Sequence, residues 1–412
     1  MSISTNSFSV NGIEYKPAAK PVVVICIDGS ADEYIDATMG RDRMPNLKSM
    51  SQKGYRGMVR GALPSFTNVN NSSIVTGVAP AVHGISGNFF YDEKKDEEVM
   101  MNSSEYLRAE TILAAASKAG RKVAVVTAKE KLRDILSHKM TGIAISAEKA
   151  NQAKKETHGI DDAEKIIGYK TPAIYSGDAS LFVLRAGVAF IEQGLADFLY
   201  LSLTDYMQHT YAPEAEESLA FYEAMDTEIG KLAQLGAVVG ATADHGMNAK
   251  VKKDGSPNVL FVEDMLSEKF GDHFRVICPI TDPYVKHHGA LGSYVVVHVS
   301  DKSIINDVKN WLQVQAGITE VYDKATAVKL LEQPEDRIGD LVVLSGRDVV
   351  VGRRPKYHDL SALDGTLRSH GGRYEEMVPV IISHPLNEAY KRKASMDPRN
   401  FDIFDFAING TN

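Results

Sequence analysis

Four short runs constrain the fold of this chain more than any other feature: PVVVICID, KVAVVTAK, ADFLYLSLTD and GAVVGATADH are apolar at consecutive positions rather than at alternate ones. A strand with one face in water alternates polar and apolar residues, so runs without alternation belong to strands covered on both faces. Between them lie segments of helical period, among them MPNLKSMSQKG, ETILAAASKAG and EESLAFYEAMDTEIGKLAQLG, the first and last stopping at Gly54 and Gly236. Strand and helix in alternation give an α/β class with a doubly wound, mostly parallel sheet. The 412 residues suffice for one large core and a smaller unit. Residues 1–248 and 365–412 are assigned to the α/β core. Residues 249–364, where the pattern changes to GSYVVVHVS, DLVVLSG and a helix around INDVKNWLQVQAG, are assigned to an inserted α+β cap.

Each of the four runs ends in a residue with chemical capacity: Asp28, Lys129, Asp205, and Asp244 with His245. The carboxyl ends of strands in an open parallel sheet form one edge, where ligands bind. One strand-end Asp often only caps a helix, and one His is usually just hydrogen-bonded. Three Asp on one edge are harder to dismiss. The spacing TDYMQH places Asp205 and His209 one helical turn apart on one face, and His370 stands before two glycines in RSHGG. Three Asp and three His can hold two divalent ions, and the imidazole share favours two Zn2+, with Mn2+ or Fe2+ as alternatives. Such a pair of ions is a clamp suited to phosphoryl transfer.

A nucleophile and an anion seat are expected nearby. In LPSFTNVNNSSIVTG, Thr67 precedes a helix starting near Asn68. Backbone N–H groups and the helix dipole would there stabilise a phosphoryl oxygen, although on this segment alone Thr67 reads sooner as a helix cap. Asn88, in the glycine-flanked loop HGISGN, can aim an amide at the same place.

The charge of −8 argues against a nucleic-acid surface or a basic membrane patch. Cys26 and Cys278 lack CxxC spacing and read as reduced packing residues. The N-terminal MSISTNSFSVNG lacks the basic and apolar regions of a signal peptide, and no run reaches the length of a membrane span, so a cytoplasmic location is expected.

CIDG, PSFTNVNNSSIVTG, HGISGN, LTDYMQH, TADHGM and RSHGG occur in the order found in the alkaline phosphatase superfamily, and the chain resembles its nucleotide pyrophosphatase/phosphodiesterase-like branch from residue 21 to about 385. The resemblance implies a sheet domain of the alkaline phosphatase type with two zinc ions, one held by Asp205, His209 and His370, the other by Asp28, Thr67, Asp244 and His245. It also implies that Thr67 attacks phosphorus and that Asn88 holds a phosphoryl oxygen. Within that branch VNGIEYKP, TAKEKLR, YAPE and HHGALGS resemble the phosphonoacetate hydrolase family. That family hydrolyses a carbon–phosphorus bond to give acetate and phosphate. A dimer is common among similar proteins.

Breaking a carbon–phosphorus bond expels a carbanion that must spread into the adjacent carboxylate, so cations beside that carboxylate accelerate the step. Lys129 and Lys131 are the candidates, read as alternate positions of an extended segment pointing the same way, although Lys131 also reads as a solvated helix-start lysine. His287 and His288 can close over the carboxylate or serve only in cap packing. Neither the proton donor to the carbanion nor the choice between Thr67 and a hydroxide as attacker is identified by sequence. A phosphodiesterase with the same metals is the alternative and needs an aromatic slot from Phe66, Phe89, Phe90 or Tyr206. A phosphomutase and a non-catalytic binding module are further alternatives.

Overall fold

The consecutive apolar runs do form strands buried on both faces. The computed structural model describes residue 3 and residues 6–281, 288–361, 363 and 366–411. Its strands that matter here are β1 (Val22–Cys26), β2 (Tyr55–Arg60), β3 (Val123–Thr127), β4 (Gly142–Ser146), β5 (Phe198–Ser202), β6 (Val238–Thr242), β7 (Phe274–Ile277), β8 (Tyr294–Val299), β9 (Ile318–Asp323), β10 (Leu341–Ser345) and β11 (Met377–Ile382). The main sheet has the order β2-β11-β6-β1-β5-β3-β4. Pairings from β6 through β4 are parallel, and β11 runs antiparallel between β6 and β2.

The pleat divides each central strand between two cores. Val23 and Ile25 of β1 join Leu199 and Leu201 of β5 on one face, under the helices Gly177–Glu192 and Glu216–Gln234. Val22, Val24 and Cys26 join Phe198 and Tyr200 on the other, where α1 (Thr67–Thr76) contributes Ile74 and Val75 and the C-terminal helix Ile403–Ile408 contributes Phe404 and Phe406. Each fully buried Val, Ile or Leu here contributes about 1.5–3 kcal/mol of transfer free energy. Both cysteines are buried and unpaired. No helix among the described residues is long and apolar enough to cross a membrane.

A second, antiparallel sheet of order β7-β8-β10-β9 is built from residues 274–345. Its core includes Leu63, Phe66 and Val69 from the segment around Thr67, so this sheet packs on the start of α1. Arg373–Glu320 at 3.0 Å and Arg399–Glu332 at 2.6 Å also tie the two parts together. The parallel strands β1, β3, β5 and β6 therefore end beneath this second sheet, on one edge.

Candidate metal centre

At that edge the strand-end residues gather into two clusters. Asp28, Asp244 and His245 form one and Asp205, His209 and His370 the other, with the candidate ligand atoms of each within 4.8 Å of one another and all six residues buried. Gly29 makes the convergence possible. It has φ +71°, its N–H donates to Asp244 Oδ1 at 3.2 Å, and a Cβ there would lie 3.0 Å from Asp205 Cβ. The short helix Tyr206–Thr210 places His209 over Asp205, with Nε2 3.0 Å from Oδ2. His370 arrives from the loop beyond the second sheet. Gly371, at φ +120°, follows it where any Cβ would strike the Phe66 ring at 2.4 Å. The His370 ring, 5.4 Å from that of His209 in its own cluster, stacks on that of His245 and so joins the two clusters.

Three observations say that these residues fit divalent cations. Asp28 is fully buried, yet neither of its carboxylate oxygens accepts a hydrogen bond from the described residues. Lys129 Nζ at 3.5 Å and His245 Nε2 at 3.2 Å stand beside them, and buried acceptors without a hydrogen bond are costly unless a cation takes them. Next, Nδ1 of each histidine lies against a backbone carbonyl, His245 on Gly246 at 2.9 Å, His209 on Arg368 at 2.7 Å and His370 on Ser65 at 2.8 Å. Carbonyls only accept, so Nδ1 carries the proton and Nε2 presents a lone pair to the cluster, the tautomer a metal-binding histidine needs. Finally, the donors are carboxylate oxygen, imidazole nitrogen and the Thr67 hydroxyl, with no thiolate, which suits zinc, manganese or iron.

The electrostatics carry the same message. Burial and the neighbouring Asp28 push the Asp244 carboxyl well above its ordinary value. Burial would lower His245, but Asp244 and Asp28 outweigh it and raise the ring to about 9. Uncompensated carboxylates in a dry site have this effect.

Thr67 is the first residue of α1, not its cap: Phe66 holds the capping position, and Thr67 Oγ1 lies 3.4 Å from His245 Nε2. Asn88 also touches this helix end. Its Oδ1 accepts the Asn68 N–H at 3.2 Å, which fixes the amide against the N-terminus of α1. Lys129 Nζ bridges the clusters, 2.8 Å from Asp205 Oδ1 and 3.5 Å from Asp28 Oδ2. Burial alone would lower its pKa, but Asp205 and Asp28 raise it. Lys131 does not follow in an extended segment as its spacing suggested, because the helix Glu130–Leu136 begins directly after Lys129. It is brought to the site all the same, where burial and then Lys129 lower it to about 7. His288 is buried with its ring 5.5 Å from that of His209, and its Nδ1 accepts the Ala290 N–H at 3.0 Å, leaving the proton on Nε2. His287 lies outside the described residues.

The aromatic slot fares differently. Phe66 is fully buried edge-on to His370, and Phe90 is buried within a separate cluster around Ile85. Phe89 packs on the second sheet, and Tyr206 stands half-buried beside Tyr175.

Sequence reasoning passes over Asn71, Tyr200, Ser202, Lys250 and Glu375, all fully buried around the clusters. One signal points to Asn71 and its partners: α1 reads TNVNNSSIVT, polar on every side, yet all ten of its residues are buried. A helix of poor formers without a solvent face must satisfy its side chains through specific partners.

Residues 22–373 match the model of the type I phosphodiesterase / nucleotide pyrophosphatase family. The phosphonoacetate hydrolase of Sinorhizobium meliloti 1021, solved with phosphonoacetate and with phosphonoformate, is 43% identical, with all of both chains covered and a TM-score of 0.93. Murine ectonucleotide pyrophosphatase / phosphodiesterase 5 shares the fold at a TM-score of 0.64 and 16% identity over 95% of this chain and 96% of that one. An ectonucleotide pyrophosphatase/phosphodiesterase of Caenorhabditis elegans is 30% identical over 100 residues, 23% of this chain and 13% of that protein. The alkaline phosphatase PafA of Elizabethkingia meningoseptica is 30% identical over 91 residues, 22% of this chain and 17% of its own length.

Proposed function

The chain belongs to the type I phosphodiesterase / nucleotide pyrophosphatase family, and on that footing we propose that it hydrolyses the carbon–phosphorus bond of phosphonoacetate to acetate and phosphate, with Thr67 as nucleophile. The observation that carries this reading is the pair of lysines set against a two-cluster site. Asp28, Asp244, His245 and Thr67 would hold one ion and Asp205, His209 and His370 the other. When bound, two zinc ions supply Lewis acidity and charge neutralisation. Two dications and the Lys129 ammonium against three carboxylates leave two positive charges, and Lys131 when protonated adds a third, which together match a fully ionised phosphonoacetate. A phosphodiester carries one negative charge and leaves most of that field unused.

In the proposed reaction the Thr67 oxygen attacks phosphorus in line with the departing carbon. The amide of Asn88, fixed against the first turn of α1, and the N–H groups of that turn steady the phosphoryl oxygens. The electron pair of the breaking bond moves into the carboxylate, giving an acetate enolate. Lys129, Lys131 and His288 interact with that carboxylate, and the interaction strengthens as charge develops there. The enolate takes a proton to become acetate, and water hydrolyses the phosphothreonine. Residues 249–364 serve as the cap over the leaving group. Zinc as the native ion, a cytoplasmic location and a homodimeric assembly complete the reading.

The test incubates zinc-loaded protein with phosphonoacetate and measures phosphate and acetate, beside Thr67→Ala and a parallel assay with a chromogenic phosphodiester. Equimolar products that require Thr67 are expected. Brisk diester cleavage without phosphate from phosphonoacetate would make this a phosphodiesterase.

A further inference from the structure

Asn71 lies one helical turn after Thr67 on α1 and is fully buried. Its amide makes four hydrogen bonds. Nδ2 donates to the Thr67 carbonyl at 3.1 Å and to Asp244 Oδ2 at 3.2 Å. Oδ1 accepts from the Tyr200 hydroxyl at 2.8 Å and from Ser202 Oγ at 2.8 Å. The chemistry of the partners fixes which end is which. A flipped amide would set its oxygen against a carbonyl and a carboxylate, neither of which can donate, so the NH2 must face Asp244 and Thr67.

We propose that Asn71 is a positioning residue that locks the Asp244 carboxylate and the Thr67 backbone into one rigid unit, and so sets where the ion of the Asp28 cluster sits relative to the attacking oxygen. Asp244 is otherwise held through Oδ1, which accepts the N–H groups of Gly29 at 3.2 Å and His245 at 3.0 Å. Those two bonds leave the carboxylate free to swing about Oδ1, and the bond from Asn71 to Oδ2 removes that freedom. The two hydroxyls behind Asn71 belong to β5, the strand that leads into Asp205, so the amide is braced against the sheet and not against α1 alone. The four bonds of Asn71 reach none of Asp205, His209 and His370, and its influence is confined to one cluster. Partners of this kind, one shell beyond the ligand, alter metal affinity by about 10- to 100-fold.

The inference rests on the metal-holding reading of the two clusters. Zinc affinity is measured by competition with a chromogenic chelator, separately for the two ions, in the wild type, Asn71→Asp and Ser202→Ala. Asn71→Asp keeps the volume and replaces the donor facing Asp244 with an acceptor. Ser202→Ala leaves Asn71 in place but removes one of its braces, and so keeps the question answerable where Asn71→Asp does not fold. The expected result is one ion weakened about 10- to 100-fold in Asn71→Asp and more mildly in Ser202→Ala, with the second ion held as in the wild type. With zinc saturating, kcat falls while KM is retained, because the displaced oxygen matters in the transition state. Equal weakening of both ions, or of neither, in a variant that folds overturns the role of Asn71. A wild type that binds no zinc overturns the metal reading itself, a separate outcome.

Discussion

His245 and His370 lie face to face, their ring centroids 3.5 Å apart and their planes 5° from parallel. One follows β6 and the other follows the second sheet, so the contact joins segments 125 residues apart in the chain at the centre of the site. Two protonated rings would repel at this separation. Two neutral rings, each donating Nδ1–H outward, can stack and face their Nε2 lone pairs toward separate cations. His370→Ala should therefore cost more than a residue that only orients a ligand, an activity loss of at least about 100-fold, and leave one zinc per chain instead of two. Metal analysis together with phosphate release checks this. Two zincs retained in the variant would show that His370 is not required to hold the second ion, and full activity with one zinc would show that the second ion is not required for the reaction.

The placement of Lys131 gives a leaving-group prediction. Lys131→Met should lower kcat/KM for phosphonoacetate by about 100- to 1,000-fold, the range found when one transition-state donor is removed. Cleavage of a chromogenic phosphodiester, whose leaving group has no carboxylate, should change by less than about five-fold, since Thr67 and the residues of the two clusters are untouched. Parallel loss on both substrates would place Lys131 in general site electrostatics instead.

Much of this site is legible in the amino-acid sequence, for a definite reason. Asp28, Asp205 and Asp244 follow apolar runs directly, and a parallel sheet brings such ends together whatever the helices do. The Asp205–His209 spacing also needs only one turn of helix. By contrast, the spacing of Lys131 reads as extended, because nothing in TAKEKLR marks the helix boundary at Glu130. Antiparallel β11 carries Pro379 in its interior, a residue that speaks against a central strand, and its pairing with β2 and β6 follows from no local pattern. Asn71, Lys250 and Glu375 escape notice for a third reason: their roles depend on partners distant in sequence, and an isolated Asn, Lys or Glu reads as surface.

His83 yields a pH prediction away from the metal ligands. It is fully buried, its Nδ1 accepts the Ile85 N–H at 3.1 Å, and its Nε2–H donates to Ser73 Oγ at 2.8 Å. Burial, with Arg337 nearby, lowers its pKa to about 3 from 6.5. The folded state thus excludes a proton that the unfolded chain binds below 6.5. The neutral ring's contribution is complete above that pH and is lost as pH falls toward 3, by about 1.4 kcal/mol per unit. Denaturant unfolding at pH 7 and pH 5 should show His83→Gln losing about 2 kcal/mol less over this interval than the wild type. Equal losses would mean that His83 does not drive the acid response.

Lys250 and Glu375 support the site from behind and allow a sharper stability test. Both side chains are fully buried, with Nζ 2.8 Å from Oε1. Nζ also donates to Ser293 Oγ at 2.7 Å and to the Arg347 carbonyl at 2.8 Å, while the other carboxylate oxygen accepts the Gly372 N–H at 3.1 Å. The Glu375 carbonyl accepts Gly246 N–H at 2.8 Å, so the pair braces the loops that carry both His245 and His370. Removing one partner strands the other charge without water. Lys250→Met and Glu375→Gln should each destabilise the protein by about 3–5 kcal/mol. Desolvation argues that the double variant Lys250→Met/Glu375→Gln, which leaves no buried charge, should be more stable than the sum of the single changes implies, by at least about 2 kcal/mol. Additive losses in a double-mutant cycle would show that each residue acts through its other hydrogen bonds and that the ion pair itself contributes little.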